Sequence, residues 1–596
     1  MIVSDYILNF LIKKKVKKVF LITGGAITFV VDAFSRNKKI SYLDCGHEQA
    51  SAMMADSYSR MGPNFGATMV TSGPGATNLL TGIACSWFDS IPTIHFSGQV
   101  NTNELSGAVK STRNVRQVGF QETDIVTMAK PITKFSYRIK SEKEIPYILE
   151  KAHYLATSGR PGPVLIDIPM NFQRLKLDIK NLKKFKKPKS KSISLKLKKQ
   201  INKTYSLLKK SKRPVIIFGG GIEISKSKGK LINFFKKFEI PYVTTWSGLD
   251  CCYHNQKNYI GTIGVYGSRA ANFTVQNSDF VLNLGSRLDT RITGGKPETF
   301  AREAKIISVD IDKNELNKRR GLINKLKINF SVKDFLINFN EKPKFKSNEE
   351  WINVCNNWKI KYPMVLPEWR KQKKYVNPYY FIEILSEELD SSSTIIADDG
   401  AHLTWAVQAF KVKKGQRFFS AFGNSPMGYA LPAAIGASIA KKNKKIICID
   451  GDGSIQINLQ ELHTVSKNKL PIKIFILNNN GYGIIKQFQE LYLSKRYEAS
   501  GKGVSNPNFK KIAAAFDINY TEIKNHNKMR DKLKTLIKTN RPEIINVIIS
   551  PNQKIIPKLQ FGKPIEDLSP LLNRDDFRKN MLIKIIKKDK KLIEIN

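Results

Sequence analysis

The chain has 596 residues, of which 41% are hydrophobic and 25% charged. That is an ordinary globular balance, enough for about three or four domains, and it excludes a disordered chain or a fibre. Against it stands a net charge of +49, from 99 Lys and Arg and 50 Asp and Glu, which raises nucleic-acid or membrane-surface binding as a question.

The kind of charge answers that question. The excess is chiefly Lys, spread over the whole length and thickening at Lys13–Lys18, Lys183–Lys203 and Lys587–Lys591. Nucleic-acid readers interleave Arg and aromatics along one groove-facing element. A solvated, Lys-biased surface is expected instead, with no nucleic-acid partner. Cys45, Cys85, Cys251, Cys252, Cys355 and Cys448 form no CxxC and no zinc spacing, a usage that fits a reducing cytoplasm. The N-terminus carries its charges after its apolar stretch, the reverse of a secretory signal. The longest apolar stretch, Val19–Phe34, is broken by Gly24, Gly25 and Asp32 and falls short of a membrane span.

Residues 1–180 alternate apolar runs with amphipathic stretches. KVFLIT (18–23), ATMVTSG (67–73), TIHFSG (93–98) and PVLIDIP (163–169) end in small residues, the pattern of buried parallel strands. Residues 181–203 shift to Lys, Ser and Pro and read as a linker. PVIIFGGG (214–221), PYVTTW (241–246), FVLNLG (280–285) and KIISVDID (305–312) place a central domain at 204–345, with a second linker at 346–369. TIIADDG (394–400), KIICIDGDG (445–453), KIFILNN (473–479) and EIINVIIS (543–550) place a third domain at 370–555 and leave a basic tail at 556–596. Three doubly wound α/β domains with parallel sheets are predicted. Such sheets bind ligands beyond the carboxyl ends of their strands.

The strongest chemical signal lies at such ends. One strand runs into Gly451-Asp452-Gly453-Ser454, and after 24 residues the next ends in Asn478-Asn479-Asn480-Gly481. Adjacent parallel strands would bring Asp452 and Asn479 to one sheet edge. One carboxylate and one amide oxygen make a sparse hard-cation site, suited to Mg2+ with a diphosphate completing its shell. Gly451 and Gly453 let the backbone approach phosphate, and the helix that follows favours its charge. A lone GDG is a plain strand-to-helix turn; its pairing with NN makes it a metal–diphosphate candidate. In the first domain, Glu48 opens a helical stretch after Cys45-Gly46-His47, ahead of the turn Ser72-Gly73-Pro74-Gly75-Ala76-Thr77-Asn78. Alone, a Glu at that position reads as a helix cap.

GDG-x24-NN is the signature of thiamine-diphosphate (ThDP) enzymes. HEQASAMMADSYSR followed by TSGPGATN resembles the pyrimidine-binding half of acetohydroxyacid (acetolactate) synthase. The resemblance spans roughly residues 1–555 and also rests on FQET (120–123), ATSGRPGPVLIDIP (156–169), RPVIIFGGG (213–221) and LGSRLDTRITGG (284–295). It implies that Asp452, Asn479 and the backbone oxygen of Gly481 hold Mg2+. It implies a ThDP site at Gly400, His402, Met427, Gly451, Gly453 and Ser454, with Pro74 and Asn78 from the first domain. Met427 would prop the bent coenzyme, and Glu48, reaching ThDP held by a partner chain, would exchange a proton with its pyrimidine ring. Phe120 and Gln121 would flank the reacting carbons, and Arg291 would pair with the carboxylate of a second keto acid. Gly219, Gly220, Gly221, Arg287, Asp310 and Asp312 would line an FAD with no net redox part, although GGG after a strand also reads as a tight turn. The implied activity is a carboligase: pyruvate loses carbon dioxide and its two-carbon unit passes to a second 2-keto acid, as in branched-chain amino-acid biosynthesis. A homodimer or homotetramer is implied, and room is left for a small regulatory subunit.

The sequence departs from that family near the second substrate. Met170 stands where the family has Lys, Phe488 where it has Trp, and Thr290 where it has Asp. The tail FGKPIEDLSPLLNRDDFRKNML (561–582) looks more like thiamin-dependent relatives thought to modify nucleotide sugars. An acceptor such as a nucleotide keto-sugar therefore stays open beside the 2-keto acid.

Overall fold

The computed structural model describes residues 1–62, 65–179, 182–188, 195–318 and 320–586; the expected Lys587–Lys591 run and parts of the first expected linker lie outside them. Three six-stranded sheets follow one another. The first holds β1 (Lys18–Leu21), β2 (Ser41–Asp44), β3 (Gly66–Val70), β4 (Thr93–Gln99), β5 (Phe135–Arg138) and β6 (Val164–Pro169), in the order β2-β1-β3-β4-β6-β5. The second holds β7 (Pro214–Phe218), β9 (Tyr242–Thr244), β10 (Tyr259–Thr262), β11 (Phe280–Leu284), β12 (Lys305–Val309) and β13 (Asn324–Ile328), in the order β10-β9-β7-β11-β12-β13. A separate pair, β8 (Phe238–Glu239) with β14 (Phe345–Lys346), flanks it. The third holds β15 (Thr394–Ala397), β16 (Arg417–Phe419), β17 (Ile446–Gly451), β18 (Ile472–Asn478), β19 (Asn519–Ile523) and β20 (Glu543–Ile548), in the order β16-β15-β17-β18-β20-β19. Every strand pair in the three sheets is parallel, as the apolar runs predict.

The orders decide where ligands can sit. The first and third sheets repeat one topology, with the strand order reversing between β1 and β3 and between β15 and β17. The middle sheet reads 3-2-1-4-5-6 in chain order, the dinucleotide-binding arrangement, and reverses between β7 and β11.

Four helices matter for the site: α1 (Glu48–Met61), α2 (Ala401–Ala409), α3 (Ala430–Ala440) and α4 (Gly483–Tyr492). Small residues let α1 and α3 cross closely, so the first and third domains of one chain share a core that includes Met53, Met54, Ala433 and Ala434. A buried polar latch completes the joint. Asp56 accepts from Tyr429 (2.6 Å), Ser86 (2.8 Å) and Arg60 (2.6 Å), and Arg60 also reaches Asp89 (2.8 Å). Each charge there is paired and hydrogen-bonded, which offsets the cost of burying it.

The segments read as linkers and tail carry structure. Residues 195–203 lie within a helix, Leu195–Lys209, and residues 349–361 form the helix Glu349–Lys361. Trp351, Cys355 and Trp358 of that helix share a core with Leu559, Ile565, Leu568 and Phe577 of the tail. The tail is a strap that leaves the third domain and packs on the middle one. Among the described residues, no helix is long and apolar enough to cross a membrane.

Candidate active site

The GDG and NN segments meet as their strands require. Gly451 at the end of β17 pairs with Leu477 of β18, so Asp452 and Asn479 emerge side by side at the carboxyl ends of adjacent strands, next to the reversal point. Asp452 is 2% exposed. Its carboxylate accepts from the Gly481 N–H (2.9 Å) and from the Asn506 side chain. One terminal atom of the Asn479 carboxamide lies 3.2 Å from Asp452 Oδ1 and 2.8 Å from the Gly481 carbonyl oxygen. If it is nitrogen, it donates to both. If it is oxygen, three acceptors converge, and a cation is what satisfies them. Burial pushes the Asp452 carboxyl above its ordinary range, a cost that a bound cation would reverse.

The floor of this site is a buried imidazole. His402, in the first turn of α2, is wedged between Gly400 and Gly451: a Cβ on either would fall 2.5 or 2.6 Å from its ring. Its Nε2 is buried without a partner, and burial pushes its pKa down to about 3. A neutral ring with an unmet nitrogen suits a polar ligand group. Ser454 turns inward: its hydroxyl donates to Asp450, beneath the Gly451–Gly453 turn. Gly453 packs against the Tyr482 ring. Met427 is half-buried beside Gly428, whose N–H donates to Asp398 (2.8 Å).

The first domain presents the second set. Glu48, at the first position of α1, accepts at Oε2 from the Asn78 side chain (3.0 Å). Gly75 faces its other oxygen: an added Cβ would lie 3.6 Å from Glu48 Oε1 and 2.8 Å from Thr71 Cγ2. Gln121 holds φ +63° against Gly73, where an added Cβ would fall 2.9 Å from Gln121 Cβ. A non-glycine residue in that conformation is strained, and such strain gathers at functional sites. The turn throws Phe120 outward, 85% exposed, and Pro74 is exposed beside it. Among the described residues no hydrogen bond joins Glu48 to the Asp452 group.

A cavity of about 820 Å³ opens at the reversal point of the middle sheet, between all three domains. Gly220, Gly221, Arg287 and Asp310 line it, and burial raises the Asp310 carboxyl. Two expected residues do not line it. Gly219 donates its N–H to Leu284 (3.0 Å) within the sheet. Asp312 caps a helix and is held at 2.8 Å by Arg160, and it is Arg160 that lines the cavity. Trp246 and Ser247 line it as well. Sequence reading passed over them, although they follow β9 directly and the strand-end rule pointed there. Arg291 lines the same cavity, with its guanidinium 4.6 Å from the Trp246 ring and Nη1 buried without a partner.

Known proteins agree with this division. Residues 1–128 match the thiamine pyrophosphate enzyme N-terminal TPP binding domain, residues 201–337 the central domain and residues 398–547 the C-terminal TPP binding domain. The acetolactate synthase large subunit of Cyanidium caldarium is 34% identical over 577 residues, 94% of each chain. That of Lactococcus lactis is 32% identical over 574 residues, 96% of this chain and 97% of its own. The probable acetolactate synthase large subunit of Methanocaldococcus jannaschii is 34% identical over 564 residues, 93% of this chain and 92% of its own. The chain therefore belongs to the thiamine pyrophosphate enzymes, as an acetolactate synthase-like member of that family.

Proposed function

We propose that the protein decarboxylates pyruvate and joins its two-carbon unit to a second 2-keto acid, giving a 2-acyl-2-hydroxy acid and carbon dioxide with uptake of one proton. The buried pair Asp452 and Asn479 beside the Gly481 carbonyl, with the buried, unmet His402 nitrogen next to the Gly451 turn, carries this reading. Asp452, Asn479 and the Gly481 carbonyl would hold Mg2+, and the turn at Gly451–Gly453 would take the diphosphate. ThDP, when bound, supplies an electron sink at the carbon that loses carbon dioxide.

The chain's own residues then have distinct tasks. Asn78 fixes Glu48 through Oε2, which leaves Oε1 to exchange a proton with the coenzyme ring. Phe120 and Gln121 would cover the reacting carbons and exclude water. Arg291, lacking a hydrogen-bond partner for Nη1, would take the acceptor's carboxylate. The middle cavity, at the switch point of a 3-2-1-4-5-6 sheet, suits FAD, held by Gly220, Gly221, Ser247, Arg287 and Asp310. As the family resemblance implies, Glu48 would reach ThDP held by a partner chain, so each site would combine two chains in a homodimer or homotetramer. The relatives are named large subunits, which supports a smaller regulatory partner. Six free cysteines support a reducing cytoplasm.

The test is direct. Protein with ThDP, Mg2+, FAD and pyruvate, with and without 2-ketobutyrate, should yield acetolactate and acetohydroxybutyrate by mass. Acetaldehyde alone would reduce the activity to decarboxylation, and no turnover of pyruvate would overturn the proposal.

A further inference from the structure

The strap formed by the tail carries an unusual lysine. Lys558 is 6% exposed, yet among the described residues its ammonium has no hydrogen bond and no ion pair. A lysine so little exposed is ordinarily paired, and burial pushes the pKa of this one below the ordinary lysine value. The ammonium lies 6.0 Å from the Tyr266 ring centre. Tyr266 in turn packs on Trp246 (5.7 Å), which carries the Arg291 guanidinium. Tyr266 also feels the charges of Arg291 and Asp399, and Asp399 precedes Gly400 at the end of β15. Two cations with unmet bonding capacity thus flank one aromatic shelf.

The strap also shapes the rim. Gln487 of α4 clamps Ile555 through both amide groups (3.0 and 2.9 Å), and Tyr379 holds the Ile556 N–H (2.7 Å). Leu559 then donates to Val265 (2.8 Å), beside Tyr266. Phe561, 60% exposed, stacks on Tyr492 (4.5 Å) and meets Phe488 edge-on (5.6 Å). Lys558 is therefore held on the Tyr266 side of an aromatic pair whose Trp246 side carries Arg291 and lines the cavity.

We infer that Lys558 binds a second anionic group on the acceptor, at the end remote from the keto-acid carboxylate taken by Arg291. This rests on the carboligase reading. The shared chemistry is an anionic tail, either carboxylate or phosphate-like. A singly charged acceptor would leave the ammonium unmet, whereas a doubly charged one would satisfy both cations at once.

Three acceptors of similar length separate the cases: 2-oxopentanoate with a neutral tail, 2-oxoglutarate with a carboxylate and 2-oxo-4-phosphonobutanoate with a phosphonate. With pyruvate as donor, one charged acceptor should be preferred, and which one names the anion. Lys558→Met should raise KM for that acceptor about 10- to 100-fold, leave kcat and the neutral acceptor within about twofold, and Lys558→Arg should restore part of the loss. Calorimetric titration of unreactive glutarate and of inorganic phosphate into the holoenzyme gives a readout without turnover, and Lys558→Met should abolish the binding of one of them. Equal use of neutral and charged acceptors, or equal damage to both by Lys558→Met, would overturn the inference while pyruvate self-coupling keeps the carboligase reading. Loss of all coupling in the wild type would overturn the carboligase reading, and glutarate or phosphate binding that Lys558→Met leaves unchanged would still overturn the inference.

Discussion

The first and third domains share a strand order but end in opposite kinds of surface. At the end of β17 and β18, Asp452 and Asn479 are buried side by side within one chain. Beyond β2 Glu48 is half-buried, and beyond β4 Phe120 stands in the open on a strained turn. The difference teaches that the cation end of the site can be assembled by one domain, whereas the proton-relay end is a face awaiting another surface. A packed core between α1 and α3 holds the two ends in fixed relation, so they cannot simply fold onto each other.

The largest effect should come from the exposed end. Glu48→Gln keeps the Asn78 contact but cannot carry the proton, so turnover should fall about 10²- to 10⁴-fold while ThDP, followed by equilibrium titration, still binds. Near-normal turnover would remove Glu48 from the relay. At the buried end, Asp452→Ala should weaken Mg2+-dependent ThDP binding by about 10- to 100-fold, and an unchanged titration would refute the cation site. The two variants then test the comparison together. If each site takes Glu48 from one chain and Asp452 from another, co-refolding equal amounts of the two variants should restore about a quarter of wild-type activity, because mixed dimers carry one intact site. A mixture that stays inactive would place both groups in one chain.

The smallest effect concerns the joint. Glu461 accepts from the Gly46 N–H (2.9 Å), two residues before Glu48, and burial pushes its pKa up to about 7. A carboxyl raised in this way binds more protons folded than unfolded. Its contribution to stability therefore falls as pH rises from the ordinary carboxylate range to about 7 and is level above that. Glu461→Gln should stabilise the protein by about 1–3 kcal/mol at pH 8 and by less at pH 5.5, measured by urea unfolding. A gain independent of pH would show that Glu461 does not titrate in this range.

The amino-acid sequence by itself settled the centre of each sheet. The twelve runs read as strands are the four inner strands of all three sheets; those passed over are the six edge strands β2, β5, β10, β13, β16 and β19. Inner strands are covered on both faces and must be continuously apolar, whereas the edge strands β2, β5, β13 and β19 are largely half-exposed or exposed, as NKLKI in β13 shows, and β10 and β16, though mostly buried, are only four and three residues long. The pairing of Asp452 with Asn479 was legible for a related reason: adjacent parallel strands give neighbours in sequence pattern a fixed spacing in space. Only the tertiary structure decided that Asp312 belongs to Arg160, that the tail is a strap on the middle domain, that Lys558 is buried with no ion pair among the described residues and that Phe120 faces outward. Each of these depends on which surfaces meet across domains, and a contact between distant segments leaves no periodicity in either of them.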